Sequence, residues 1–151
     1  MLKERLFTIY NFIELNQVHN ITLSGKGKID GQGFMWWVRE ISRIFDLKGN
    51  PHGRPNMIEI SNSTGIEWTG IKLINSPYYH INARDIDGGY FHDFEIYVDI
   101  MSQNHLSEFL GLGLRIPTFP LNTDGIDPAG TNILIERVNI TNFDDAVAVK
   151  P

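Results

Sequence analysis

Gly65-Ile-Glu-Trp68 carries a pattern that returns along the chain and implies stacked strands. Asn20-Ile-Thr-Leu23 and Asn132-Ile-Leu-Ile135 repeat it, and a more degenerate copy runs from Gly88 to Ile96. Each copy is a turn-forming residue followed by short alternating strand text. Aligning them puts Ile21, Ile66, Gly89 and Ile133 in register, with steps of 45, 23 and 44 residues. The middle step suits one coil of a parallel β-solenoid. The outer two read as one coil each with a long loop, because residues 31–56 and 99–121 are the least regular parts of the chain. Such coils cannot bury their apolar face alone. They stack, and inward Ile, Val and Leu form a continuous column.

The rest of the chain agrees. Met57-Ile-Glu-Ile60, Ile71-Lys-Leu-Ile74, Phe94-Glu-Ile-Tyr-Val98 and Val138-Asn-Ile140 are short runs bounded by Gly, Asn, Asp and Ser. The best helical candidate is Met35 to Phe45, as a short helix or a loop. The stretch Asp99 to Leu121, with Gly111, Gly113, Pro117 and Pro120, reads as a wall or lid over one solenoid face. The last residues, Val147-Ala-Val-Lys-Pro151, read as mid-strand, which suggests a solenoid cut short at that end.

Bulk composition bounds the function. The 151 residues fit one domain or part of a larger one, 42% of them are hydrophobic and the formal net charge is −5. No basic footprint for nucleic acid is present. There are no cysteines, so disulfides and Cys-ligated metals are excluded. No run is long and apolar enough for a membrane span. Met1 to Phe12 lacks the apolar run and cleavage site of a secretory leader. The sequons at Asn20, Asn62 and Asn139 are also ordinary text for Asn turns leading into Ile/Thr strands.

Two segments carry chemistry: Asn122-Thr-Asp-Gly-Ile-Asp127 and Asp144-Asp-Ala-Val-Ala-Val-Lys150. Asp124 and Asp144 are 20 residues apart, about one coil. Neighbouring coils stack roughly 4.8 Å apart, so Asp124, Asp144 and Asp145 are expected to share one patch. Clustered carboxylates cannot all ionise freely, and one is pushed toward its neutral form. A neutral acid beside a charged base suits glycoside hydrolysis. Adjacent strand residues face opposite ways, so a bend or bulge is expected at Asp144-Asp145. Asp124-Gly125 reads as a turn in which glycine takes a positive φ. An isolated Asp-Asp or Asn-Thr-Asp-Gly is ordinarily just a turn. The one-coil spacing lifts this pair above that.

These residues resemble the polygalacturonase family, glycoside hydrolase family 28. Gly27-Lys-Ile-Asp-Gly-Gln-Gly33 with Trp36-Trp37, Arg54-Pro55, Asn75-Ser-Pro-Tyr-Tyr79 and the two acidic segments match its motifs in family order, over roughly residues 13–151. The resemblance implies an all-β, right-handed parallel β-helix, with residues 1–151 forming part of a catalytic domain. It implies inverting hydrolysis of α-1,4 galacturonosyl linkages in pectin or polygalacturonate. Asp144 would be the general acid, and Asp124 and Asp145 would hold and activate the attacking water. Inverting enzymes keep acid and base carboxyls about 6.5–9.5 Å apart, so Asp144 is expected to stand that far from Asp124 or Asp145, whereas pairs all near about 5 Å would suit a retaining geometry. It further implies an extracellular protein, monomeric when complete, with no cofactor, no metal, no nucleic-acid partner and no membrane.

The family's Gly-His-Gly and Arg-x-Lys motifs do not appear after Asp145, and Ala146 stands where cysteine is frequent. The expectation is therefore a fragment with little activity or solubility on its own. Asn122 and Lys150 are candidate substrate-binding residues, though Lys150 reads equally as a strand end. Asp127 and Asp30 read as turn caps. Trp36 and Trp37 read as a loop anchor for at least one of them, and Tyr78 and Tyr79 as split, one in and one out. His80, His92 and His105 read as structural. Two other functions fit a β-solenoid: a non-catalytic carbohydrate-binding or structural protein, and a calcium-dependent lyase.

Overall fold

The computed structural model describes residues 10–45, 53–100 and 119–151. The chain order is β1 (Ile13–Asn16), β2 (His19–Ser24), β3 (Lys28–Asp30), α1 (Phe34–Phe45), β4 (Ile58–Thr69), β5 (Lys72–Ile74), β6 (Ile81–Tyr97) and β7 (Ile126–Thr141). All pairings among the described strands are parallel. β4 takes β1 and β2 on one edge and β6 on the other, β6 then pairs β7, and β3 pairs β5, which pairs the far end of β6. Strands stack coil on coil, the arrangement of a parallel β-helix.

The register is the one the repeat predicts. Ile21 pairs Ile66, Ile66 pairs Gly89 and Gly89 pairs Ile133. Each step is therefore a single coil, and the two long steps are coils carrying insertions. The same stacking builds apolar columns. Ile13, Ile58, Ile81 and Ile126 form one; Leu23, Trp68, Phe91 and Ile135 another; Ile29, Leu73, Ile96 and Ile140 a third. Most of these residues belong to one apolar core.

The polar punctuation in the sequence marks the corners. Asn20, Asn62, Asn75, Asp85, Asp93 and Asn132 all have φ between 49° and 55°, and Gly65, Gly70 and Gly88 share the left-handed region. Asn, Asp and Gly tolerate that conformation where β-branched residues do not. β4 and β6 therefore continue around corners where sequence reading stops a strand. Asn20 and Asn62, two of the sequon asparagines, occupy such corners.

Residues 34–45 are helical rather than looped. Phe34 and Trp37 are buried against Val98, and Trp37 Nε1 donates to Ser76 O at 3.0 Å. Gly33 is required there because a Cβ would lie 2.7 Å from the Ser76 carbonyl oxygen and from the Trp37 ring. The loop-anchor reading thus holds for Trp37. Tyr78 and Tyr79 are not split: both are half-buried, stacked with centroids 4.0 Å apart and planes 22° apart. Each ring covers the other, which shelters both from water without sending one inward. Most of the expected wall over 99–121, and His105, lie outside the described residues.

Column packing makes a quantitative prediction. Ile81 is 0% exposed and central to its column, whereas Leu134 is 52% exposed on the last full coil. Ile81→Ala is expected to cost about 2–5 kcal/mol, and Leu134→Ala about 0.5 kcal/mol or less. Urea unfolding of both variants checks the contrast.

Candidate active site

The site forms where the chain after β7 returns beneath the residues that enter it. Gly125 N donates to Asp145 O at 2.9 Å, Ile126 N to Ala146 O at 3.1 Å, and Ala148 N to Ile126 O at 3.0 Å. This ladder places segment 145–150 one coil beyond segment 124–128. Gly125 is needed for close approach, since a Cβ would sit 2.4 Å from Ala146 O. The positive φ expected of it belongs instead to Asn122, at 55°. A tight coil contact, not a reversed turn, is what demands glycine here.

The expected bend lies at Phe143-Asp144. Asn142 Nδ2 donates to Thr123 O at 3.1 Å and to Asp145 O at 2.8 Å, and Phe143 N donates to Thr123 Oγ1 at 3.3 Å. Buried Thr123 in turn donates to Pro120 O at 2.9 Å. These bonds turn both aspartates toward Asp124. An oxygen from each of Asp124, Asp144 and Asp145 lies within 4.8 Å of the other two. Asp124 is buried, 4% exposed, while Asp144 and Asp145 are exposed.

The 4.8 Å contact is between the nearest oxygens, a shorter measure than the roughly 6.5–9.5 Å between whole carboxyl groups of an inverting pair. Asp145 N donates to Asp144 Oδ1 at 3.0 Å and Asn122 N to Asp144 Oδ2 at 3.2 Å. Two backbone amides thus fold the Asp144 carboxylate back over the bend. Three protein carboxylates are few for calcium, which takes about six to eight oxygens.

Burial, then Asp127, then Asp144, pushes the Asp124 carboxyl up to about 6. Asp127 is not a turn cap. It is an outward position of β7 that the stacked coil covers completely, 0% exposed. Burial raises its pKa, and Lys150, 3.2 Å away, opposes that rise. The Lys150 ammonium also lies 5.7 Å from the Tyr79 ring centre. Its head is thus engaged with the protein's own carboxylate, which favours neither of the two readings made from sequence. Asp30 does cap a turn, accepting from Gln32 N at 3.0 Å.

His80 supports the site from below. It is fully buried, its backbone N donates to Asp124 O at 2.9 Å, and its Nδ1 lies 3.0 Å from the same oxygen. Ser76 N approaches Nε2 at 3.4 Å, so Nε2 is the acceptor and Nδ1 carries the proton. Burial lowers its pKa to about 4, which keeps the ring neutral. Only a one-coil alignment of His80 with Asp124 would have shown this from sequence. His92 is also structural, bridging Glu67 Oε1 at 3.0 Å and Asp93 Oδ2 at 2.7 Å.

The shifts fix the sign of a stability change. Asp124 is raised in the fold, so its contribution is present below pH 3.8 and lost as pH climbs through about 6. Asp124→Asn is therefore expected to stabilise the fold at pH 7 by about 2–3 kcal/mol and to give no gain at pH 3.5. Urea unfolding at both pH values checks this; equal stability of the two proteins at pH 7 contradicts it.

Comparison with known proteins identifies the family. The profile of Glycosyl hydrolases family 28 matches residues 3–151. An endo-polygalacturonase of Pectobacterium carotovorum subsp. carotovorum is 32% identical over 149 residues, covering 92% of this chain and 32% of that protein. A polygalacturonase of Cryptomeria japonica is 30% identical over 140 residues, covering 91% of this chain and 24% of that one. The solved polygalacturonase from Erwinia carotovora ssp. carotovora superposes with a TM-score of 0.70 at 30% identity, over 91% of this chain and 34% of its own. The chain thus spans about a quarter to a third of the length of these relatives. The right-handed parallel β-helix expected from sequence is the fold it shares with the solved relative. Profile, relatives and superposition agree, and the chain belongs to Glycosyl hydrolases family 28.

Proposed function

We propose that this chain carries acidic catalytic machinery of a pectin-degrading glycosidase acting on α-1,4 galacturonosyl linkages. The observation that carries the reading is the contact of Asp124, Asp144 and Asp145, with one member holding its proton up to about pH 6. The titration belongs to the cluster rather than to one residue. In the free protein the shared proton rests on buried Asp124. The proton passes from Asp124 to exposed Asp144, which leaves Asp124 ionised, and Asp144 delivers it to the leaving oxygen as the glycosidic bond breaks. Asp124 and Asp145 then orient a water and accept its proton as its oxygen bonds to the anomeric carbon. Inversion also needs room for a water between acid and base. Asp144 leaves its two amide donors and swings outward, which creates room for the water. The substrate is a polysaccharide of uronate type. The family supports an extracellular setting, and no helix among the described residues is long and apolar enough to cross a membrane.

The tight carboxylate contact favours a second reading, a solenoid that binds pectic sugar without cleaving it. Reducing-end release from polygalacturonate separates the two. It is measured on the chain itself and on a hybrid in which the chain replaces the matched third of the Pectobacterium enzyme. The hybrid is expected to turn over, with kcat/KM falling as pH rises past about 6. Asp144→Asn is expected to lower kcat by about 10²–10⁴-fold with an unchanged circular dichroism spectrum. Retained turnover removes Asp144 from the acid role. Retention of the anomeric configuration in the first product, read by proton NMR, removes the inverting mechanism.

A further inference from the structure

Arg54 lies in the Arg-Pro segment, far in sequence from the acidic cluster. Its side chain is 5% exposed. Nη1 donates to Pro77 O at 3.0 Å and also to Leu121 O, and Nη2 donates to Asn122 Oδ1 at 2.7 Å. The guanidinium lies 4.6 Å from the Tyr78 ring centre, and Nε is 3.8 Å from Glu40 on α1. One buried cation thus ties the residues before β4, the 76–80 turn and the loop that carries Asn122.

A guanidinium has donors and no acceptor. The atom of the Asn122 carboxamide that faces Arg54 must therefore be its oxygen. The carboxamide is planar, so Nδ2 is turned away from Arg54. Among the described residues Nδ2 makes no hydrogen bond to protein, and Asn122 is partly exposed. The backbone N of the same residue donates to Asp144 Oδ2. Asn122 thus has its acceptor occupied, its backbone N on the cluster and its side-chain donors open. An Asn free to flip would at times offer an oxygen beside three carboxylates, where it would repel a uronate.

We propose that Arg54 is a positioning residue that locks the Asn122 carboxamide, so that its two N–H donors are offered to a carboxylate or hydroxyl oxygen of a sugar bound beside Asp144. Choice of a uronate as ligand rests on the function proposed above. The lock itself does not.

The test uses the full chain and trigalacturonate as probe, followed by ¹⁵N NMR of the Asn122 side chain. Trigalacturonate is expected to shift the Nδ2 resonances. Asn122→Asp keeps an oxygen for Arg54 but removes both donors, and is expected to weaken binding at least tenfold with the thermal midpoint maintained. Arg54→Lys retains charge but loses the fork. It is expected to shift and broaden the Asn122 carboxamide signals with no ligand present, a change that general loosening of the fold would spread over many residues. Unchanged Asn122 signals in Arg54→Lys overturn the lock. Wild-type affinity in Asn122→Asp overturns the donor role alone. No binding by the wild-type chain overturns the uronate reading together with the donor role, while the Arg54→Lys spectrum still decides the lock.

Discussion

The close stacking of one coil on the next is the constraint on which the molecule depends. Parallel coils repeat at roughly 4.8 Å, and backbone hydrogen bonds from Gly125, Ile126 and Ala148 enforce that repeat at the site. The same contact has three consequences. It needs a residue without a Cβ at 125. It covers Asp127 completely and leaves Asp124 only 4% exposed. It brings carboxylates from two coils within 4.8 Å of each other. Stability and chemistry therefore come from one feature, and they pull in opposite directions.

That opposition shows in the hydrogen bonding. Asp124 Oδ1 and both oxygens of Asp127 are buried without a well-aligned hydrogen-bond donor, although the Lys150 ammonium stands near Asp127. Buried polar atoms are ordinarily satisfied, and an unsatisfied one costs about 1–3 kcal/mol. The Ile and aromatic columns beside the site supply the compensation. Neutral His80 belongs to the same balance, because a charged ring there would be buried against the Asp124 backbone with no counter-ion.

Much of the fold was legible because coil stacking imposes a register on sequence. Ile21, Ile66, Gly89 and Ile133 align on paper as they do in space. The bend at Asp144 was legible too, since two adjacent side chains cannot share a face of a regular strand. Other features were hidden by the same stacking. Asp127 looks like a turn residue in one dimension and is buried in the fold, with Lys150 of the next coil 3.2 Å away. Gly125 looks like a turn glycine, and only the position of Ala146 O shows otherwise. Arg54 and His80 act on the site from 68 and 44 residues away in sequence, through contacts that no local pattern encodes. The two backbone amides that hold the Asp144 carboxylate are likewise invisible in a string of letters.

Burial in this coil contact holds a proton on Asp124, and carbon-13 NMR titration of its side-chain carboxyl reads that proton in the unmodified chain. A midpoint near 6 is the result predicted. A midpoint near 3.8, the ordinary aspartate value, would contradict this and mean that the coil leaves the carboxylate solvated.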